Sequence, residues 1–193
     1  LERLLELQAR LLREHEQEAE RAARVVLLAE EERAALVAGL PFVPTAGQRR
    51  VLDEILADLA RARPMRRLLQ GEVGSGKTLV ALAACAAVAR AGGQAALMAP
   101  TEILAEQHFL GLAPALARFG LAGVLLTGSQ RAPARPAART ALAEGKVGLA
   151  FGTHALFSRD VCFARLDLVV IDEEQRFGVA QKQALLEKGA DVH

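Results

Sequence analysis

The sequence predicts an α/β fold in which a mostly parallel sheet is covered by helices on both faces. From residue 68 onward, short apolar runs alternate with stretches of helical character. The apolar runs, such as LDLVVI at 166–171, are nearly continuous, which is typical of parallel strands buried on both faces. Small polar clusters follow several of these runs. Because parallel strands end at the same edge of a sheet, we expect a ligand site at that edge.

The order of elements follows from the apolar spacing and from the residues that break it. A helix is predicted near 49–61, with Val51, Leu52, Ile55 and Leu59 on its inner face, and Pro64 ends it. Strands are predicted near 67–70, 95–100, 122–127, 147–152 and 166–171, and further helices near 78–91, 102–118, 134–144 and 179–188.

Residues 1–40 are predicted to form one long helix, or two helices end to end. Apolar residues recur there at heptad-like spacing, at Leu5, Leu12, Ala19, Val26 and Leu40. Three interpretations stay open: a helix packed on the following domain, a dimeric coiled coil, and a rigid connector to an upstream domain. The run Gly39-Leu40-Pro41 ends this part. We therefore expect a helical linker segment at 1–40 and a second unit at 41–193.

The composition is that of a globular domain. Of 193 residues, 52% are hydrophobic and 24% charged, and the net charge of +1 excludes a broad basic field, so any contact with nucleic acid must be local.

Cys85 and Cys162 both lie in apolar surroundings, which predicts buried thiols in a reducing, cytoplasmic compartment. The longest apolar run is too short to span a bilayer, so no membrane partner is expected. Since the chain does not begin with Met, we expect it to be a segment of a longer polypeptide.

The stretch GEVGSGKT at 71–78 carries the clearest chemistry. It fits G-x-x-x-x-G-K-[ST], the phosphate-binding loop, between a predicted strand and a predicted helix. Its glycines let main-chain N–H groups approach a phosphate, and the helix adds its positive end. Lys77 would reach the β- and γ-phosphates, and the Thr78 hydroxyl would ligate Mg²⁺. The predicted nucleotide contacts are Gly71, Gly74, Ser75, Gly76, Lys77 and Thr78.

An acidic pair follows the last predicted strand, as is usual in phosphate-loop enzymes. Asp172 is expected to hold Mg²⁺ opposite Thr78, through a water molecule, and Glu173 is placed to act as general base toward an attacking water. The competing interpretation is an ordinary acidic loop between a strand and a helix.

Gln48 is the candidate reader of the base. A Gln amide can pair with both the N7 acceptor and the N6 donor of adenine, which would make the nucleotide ATP. The chain contains no Asn, so the Asn-Lys-x-Asp guanine reader is excluded. Thr45 also fits the N-cap of the helix near 49–61, and the two roles are compatible.

Hydroxyl residues and glycines follow three other predicted strands. They suit phosphate contacts along a nucleic-acid backbone, although each also fits a helix cap or turn. The candidates are Pro100, Thr101, Thr127, Gly128, Thr153 and His154.

Together these motifs resemble the first RecA-like lobe of superfamily 2 helicases, and more closely the RecG family of branch-migration helicases. The resemblance rests on five stretches, PMRRLLQGEVGSGKT, MAPTEILAEQH, LLTGS, FGTHALF and IDEEQRFGVAQK, across about residues 41–190. It implies ATP and Mg²⁺ at the loop and acidic pair, DNA-backbone contacts at the hydroxyl clusters, and remodelling of stalled forks and Holliday junctions in repair and recombination. It also implies a second RecA-like lobe and a fork-binding wedge domain as partners of this lobe.

One departure concerns residues 172–175, which read DEEQ where RecG proteins commonly read DEQH. DEEQ is typical of the transcription-repair coupling translocase, which is therefore the second candidate, and the role of Gln175 stays open. Two further functions also fit parts of the sequence, a small-molecule phosphotransferase and a non-catalytic binding piece. The resemblance further implies that residues 1–193 alone bind nucleotide but turn it over poorly, since a second lobe would supply an arginine finger.

Overall fold

The structure, a computed structural model, describes residues 22–72, 74–130, 133–173, 176 and 192–193. Within these residues the sheet has four strands: β1 (Gln94–Met98), β2 (Gly123–Leu126), β3 (Leu149–Gly152) and β4 (Leu166–Ile171). The strand order is β2-β3-β1-β4, and all three pairings are parallel. The helices are α1 (Glu30–Ala38), α2 (Ala46–Leu59), α3 (Lys77–Arg90), α4 (Glu102–Arg118) and α5 (Ala134–Ala143), with a 3₁₀ helix at His154–Phe157.

Helices cover both faces of the sheet, which confirms the predicted fold class. Along β1, Ala95 and Leu97 join a core cluster with α1, α2, α3 and α4, whereas Ala96 joins a second cluster with α5 and the 3₁₀ helix. This division follows the alternation of side chains along a strand. Every residue of β1 is buried, because β1 lies between β3 and β4 and beneath helices on both sides.

Helix α3 is the most deeply buried helix of the described residues. Its Ala-, Leu- and Val-rich sequence is apolar all round, and nine of its residues are buried. It connects to β1 through Ala91, Gly92 and Gly93, so it runs back along that strand and begins near the strand's carboxyl end. The loop before α3 is thereby carried to the edge of the sheet where β1 ends.

The helix predicted for residues 1–40 is shorter than expected in the described part. Residues 22–29 are not helical, and 1–21 lie outside the described residues. The main-chain N–H of Val26 donates instead to the oxygen of Leu59 at 2.9 Å, so this segment lies along the end of α2. Helix α1 begins at Glu30, where Glu32 accepts a hydrogen bond from the N–H of Ala29. Val26, Leu36 and Leu40 join the main core, in keeping with a segment packed on the following domain.

The strand predicted at 67–70 is not formed, and β4 has a different neighbour. Arg67 pairs with Glu54 and Asp58 of α2, and Leu68 is 69% exposed. His193 takes the place beside β4: its N–H donates to Asp167 and its oxygen accepts from Val169, both at 2.9 Å. This alternation is the pattern of a parallel pair. The segment at 67–70 is therefore held by α2 rather than by the sheet.

The helix predicted near 49–61 begins three residues earlier, at Ala46, because Thr45 is its N-cap. The remaining predicted elements within the described residues agree with the structure to within about two residues, as expected for element ends. The helix predicted at 179–188 lies outside the described residues. The prediction for the cysteines was half wrong, because Cys85 is buried but Cys162 is exposed in the loop before β4. In the described part of the chain, no helix is long and apolar enough to cross a membrane.

Candidate functional site

The predicted polar clusters meet at one edge of the sheet. β1, β3 and β4 end there, and the N–H of Asp172 donates to the oxygen of Met98 at 2.8 Å, which holds the end of β4 against the end of β1. Pro100 and Thr101 follow β1, Thr127 and Gly128 follow β2, and Thr153 and His154 follow β3. Because α3 begins at the same edge, the phosphate-binding loop and the acidic pair face a common region.

Two glycines of the loop have a backbone conformation that favours glycine. Gly74 and Gly76 have positive φ values of 82° and 81°, a region that side chains disfavour. A Cβ on Gly76 would contact the Nε2 atom of Gln48, and one on Gly71 would contact the Oγ atom of Ser75, so a side chain at either position would displace these groups. Gly76 is also the N-cap of α3, whose first N–H groups have no partner within the helix. The loop therefore offers free donors to an anion.

Lys77 lies inside the curve of this loop. Its Nζ atom donates to the main-chain oxygens of Gly71 at 2.7 Å and Glu72 at 2.8 Å. The ammonium group thus sits where phosphate oxygens could replace the two carbonyls as acceptors. Thr78 follows in the first turn of α3 and is half-buried.

Gln48 connects the start of α2 with the loop. Thr45 caps α2, as predicted: its Oγ accepts from the N–H of Gln48 at 3.2 Å, and the Oε1 of Gln48 accepts from the N–H of Thr45 at 2.9 Å. The Nε2 of Gln48 donates to the main-chain oxygen of Ser75 at 2.8 Å. The predicted base reader is therefore already in contact with the phosphate-binding loop.

The acidic pair has two partners that sequence reasoning missed. The Nε2 of His108, on α4, donates to the Oδ2 of Asp172 at 2.8 Å. Glu173 has a positive φ of 51° and forms an ion pair with the Nε of Arg176 at 2.7 Å. His108 ends the MAPTEILAEQH stretch, two helical turns beyond Thr101. That spacing was the available signal, because it returns to nearly the same face of α4.

The donor set at this edge fits Mg²⁺ rather than a softer metal. The hydroxyl of Thr78 and the carboxylate of Asp172 are oxygen ligands, and Mg²⁺ in nucleotide sites is held by few protein groups together with phosphates. No group of three or more His, Cys, Asp or Glu residues able to hold a metal occurs within the described ranges. With Oδ2 occupied by His108, the Oδ1 atom of Asp172 is the one that a metal would use.

The hydroxyl clusters differ in exposure. Thr101, Gly128 and His154 are exposed and Pro100 is half-buried, whereas Thr127 and Thr153 are buried. Thr101 and Thr153 also act as caps, since their Oγ atoms accept from the N–H groups of Leu104 and Ala155. Buried Thr side chains cannot reach a DNA backbone unless the loops move, so their contribution would come through neighbouring main-chain groups.

Glu102 joins two of these clusters. Its Oε1 accepts from the N–H of Ser129 at 3.0 Å, and its Oε2 accepts from the Ser129 hydroxyl. The Ser129 hydroxyl, with the main-chain N–H as a further cause, holds the pKa of Glu102 below its ordinary value. The start of α4 and the loop after β2 are thus tied by one carboxylate.

Comparisons with known proteins agree with this arrangement. The model of the family "DEAD/DEAH box helicase" matches residues 45–192. The chain is 55% identical over 157 residues to the ATP-dependent DNA helicase RecG of Acidithiobacillus ferridurans, covering 81% of this chain and 23% of the relative. It is 54% identical over 155 residues to the RecG helicase of Escherichia coli strain K12, covering 80% of this chain and 22% of the relative.

A solved structure of RecG bound to a three-way DNA junction superimposes with a TM-score of 0.77 at 36% identity, covering 88% of this chain and 23% of that chain. The chain therefore spans about a fifth of the length of the relatives that it matches.

Proposed function

This chain belongs to the DEAD/DEAH box helicase family, and from that premise we propose that it is the first RecA-like, ATP-binding lobe of a RecG-type DNA helicase. The observation that carries the proposal is the convergence of the phosphate-binding loop, Asp172 and the hydroxyl clusters on one edge of a parallel sheet. A DNA motor couples nucleotide and nucleic-acid binding, and a single edge of one sheet would offer both surfaces.

At the nucleotide side, the chain's own groups would hold and polarise ATP. The first N–H groups of α3 and the ammonium of Lys77 would bind the β- and γ-phosphates, and Gln48 would contact adenine. Thr78 and Asp172 would hold Mg²⁺, which neutralises charge on the phosphate oxygens when bound. Glu173 would accept a proton from water as the water oxygen bonds to the γ-phosphorus and the bond to ADP breaks. The ion pair with Arg176 engages the Oε2 atom of Glu173, so the Oε1 atom would be the one to accept this proton while the pair is intact.

At the DNA side, exposed groups would contact the sugar–phosphate backbone without reading bases. Thr101 and His154 present side chains and Gly128 presents main chain, in line with contacts that position rather than specify. The net charge of +1 gives little long-range attraction, so most of the affinity for branched DNA would come from other parts of the protein. The proposed partners are a second RecA-like lobe and a fork-binding wedge domain.

The transcription-repair coupling translocase is the second candidate, because residues 172–175 read DEEQ. The relatives named above are RecG helicases at 54–55% identity, which favours RecG. Residues 174 and 175 lie outside the described residues. A small-molecule phosphotransferase is not favoured, since the three clusters beside the loop suit a polymer backbone better than an acceptor pocket.

The test is ATP hydrolysis by the full-length protein with a three-way DNA junction, with linear duplex of equal base content, and without DNA. We expect the junction to stimulate turnover most. Lys77→Ala should abolish stimulated turnover, and Lys146→Ala, which removes an exposed Lys paired with Glu144, should behave like the parent. Equal turnover with all three additions would contradict a branched-DNA motor, and an active Lys77→Ala variant would contradict the nucleotide site.

A further inference from the structure

His108 makes a long-range contact with the nucleotide site. It lies on α4, 64 residues from Asp172, and its side chain is 17% exposed, against 39% for that of Asp172. An ionised carboxylate only accepts hydrogen bonds, so the Nε2 atom of His108 carries the proton that is donated.

The surroundings of His108 fix its position. Thr101 caps α4, Ala105 is completely buried, and Phe109 packs edge-on against Phe151 of β3 with ring centroids 5.7 Å apart. Residues 105, 108 and 109 share the inner face of the helix. His108 is therefore held by the packing of α4 on the sheet and reaches the carboxylate from a rigid element.

Asp172, by contrast, lies one residue beyond β4 and needs support. Its main chain is fixed by the bond to Met98, but within the described ranges His108 supplies the hydrogen bond to its side chain. A carboxylate held through Oδ2 keeps Oδ1 in a constant direction. We propose that His108 is a positioning residue that orients Asp172 for Mg²⁺ and thereby for Mg²⁺–ATP; this inference rests on the proposed function.

Partners of this kind, one step removed from the metal, typically change metal affinity or activity by about 10- to 100-fold when they are removed. The inference therefore predicts a defect that depends on the metal. A residue that merely packs α4 against the sheet would instead lower stability, with no difference between conditions with and without Mg²⁺.

The experiment measures ATP binding by calorimetric titration of the full-length protein, at constant pH, in excess Mg²⁺ and in excess EDTA. Three variants are compared with the parent: His108→Ala, His108→Gln, and Gln107→Ala as a control at the adjacent exposed position. We expect His108→Ala to lose about tenfold in affinity in Mg²⁺. In EDTA it should match the parent. His108→Gln, whose amide can donate to Asp172, should recover most of the loss, and Gln107→Ala should lose nothing.

Equal Mg²⁺-dependent affinity in His108→Ala and the parent would overturn the inference. So would a gain in affinity, because it would mean that His108 competes with the metal for Asp172. If His108→Ala does not fold, as judged by far-UV circular dichroism, His108→Phe, which fills similar space but cannot donate a hydrogen bond, takes its place. A loss of ATP affinity in Mg²⁺ alone then supports the inference, and no loss, or a loss equal in Mg²⁺ and EDTA, contradicts it. Lys77→Ala distinguishes failure of the proposed function from failure of this inference. If Lys77→Ala binds ATP as tightly as the parent, the proposed nucleotide site is wrong. If Lys77→Ala loses ATP affinity but His108→Ala does not, only the role of His108 is wrong.

Discussion

The side-chain amide of Gln48 donates from Nε2 to the main-chain oxygen of Ser75 at 2.8 Å, so the predicted base reader and the phosphate-binding loop are directly joined. Its Oε1 atom is engaged by the N–H of Thr45. Each end of the amide thus has one partner and retains capacity for another, since an amide offers two donors and two lone pairs. Gln48 can support the loop and contact a base at the same time.

Gln48→Ala should therefore weaken ATP binding in two separable ways. Supporting the loop and contacting adenine each involve about one net hydrogen bond, and the loss of one such bond costs about 1 kcal/mol, or roughly fivefold in ATP affinity. Competition titrations with ATP and GTP distinguish them. If Gln48 reads adenine, the variant loses its preference for ATP over GTP; if Gln48 only supports the loop, both affinities fall together. Unchanged affinity for both nucleotides would contradict both roles.

Much of the fold could be predicted because its signals are local. Helix α4 begins and ends where the sequence predicts, since Thr101 is a clear N-cap and the apolar residues follow a helical period. Strand β4 likewise matches its apolar run. The segment at 67–70 could not be placed from its own residues, because a strand needs a neighbour. Arg67 is held by α2, and His193 pairs with β4 instead.

The candidate site, like the fold, could be predicted from the sequence only in part. Its position at the strand ends follows from parallel topology, which the sequence pattern predicts. The contacts of His108 with Asp172 and of Glu102 with Ser129 do not follow, because they depend on how α4 is rotated against its neighbours. That rotation is set by packing of Ala105 and Phe109, which no local pattern specifies.

Glu173→Gln should separate ATP binding from hydrolysis in the full-length protein. The amide cannot accept the proton of the attacking water, and loss of a general base typically lowers turnover by about 10²- to 10⁴-fold. Asp172 is unchanged, so ATP affinity should stay within about twofold, on the order of 0.5 kcal/mol. Stopped-flow turnover and calorimetric binding check the two parts. Normal turnover would mean that another group activates the water.

Arg176→Ala is the matched variant for the ion pair with Glu173. If that pair holds the carboxylate away from the water in the nucleotide-free state, removing it should leave turnover equal to or above that of the parent. A loss as large as that of Glu173→Gln would show instead that Arg176 acts in the reaction.

The two cysteines should differ sharply in reactivity. Burial raises the pKa of the Cys85 thiol to about 12, and the thiolate is the reactive form, whereas Cys162 is exposed. A chromogenic disulfide reagent at pH 8 should label one thiol quickly and the second only in denaturant. Cys162→Ser should remove the fast phase.

The buried Cys85 thiol should also affect the pH dependence of stability. Because the pKa of Cys85 is raised in the folded state, its contribution to the free energy of unfolding is present below about pH 9 and is lost as the pH rises toward 12.

Residues 1–193 alone should bind ATP but hydrolyse it slowly, with little response to DNA. The chain covers about a fifth of the relatives' length, and in related phosphate-loop enzymes an arginine finger contributes about 10³- to 10⁵-fold in rate. Comparison of this chain with the full-length protein, at equal ATP occupancy, is the measurement. Hydrolysis by the short chain that DNA stimulates as strongly as in the long protein would contradict a two-lobe motor.

Glu102 should stabilise the loop after β2, because it accepts hydrogen bonds from both the N–H and the hydroxyl of Ser129. Glu102→Ala removes both acceptors and should weaken DNA binding by about three- to tenfold; because both bonds are exposed to solvent, we expect their joint effect to be that of about one net hydrogen bond. Glu102→Gln keeps one carbonyl acceptor and should fall between Glu102→Ala and the parent. Glu106→Ala, at an exposed position one turn further along α4, is the control.

The contribution of Glu102 to folding stability should depend on pH. The pKa of Glu102 is lowered in the folded protein, chiefly by the Ser129 hydroxyl, so the stabilisation is present above the ordinary value of 4.5 and is lost as the pH falls through the lowered value. Urea unfolding followed by far-UV circular dichroism should show a difference between the parent and Glu102→Ala at pH 7 that shrinks below pH 4.5. The chain has no Trp or Tyr, so fluorescence offers no substitute. A difference that is constant from pH 7 to pH 3 would mean that the charge of Glu102 does not hold the loop.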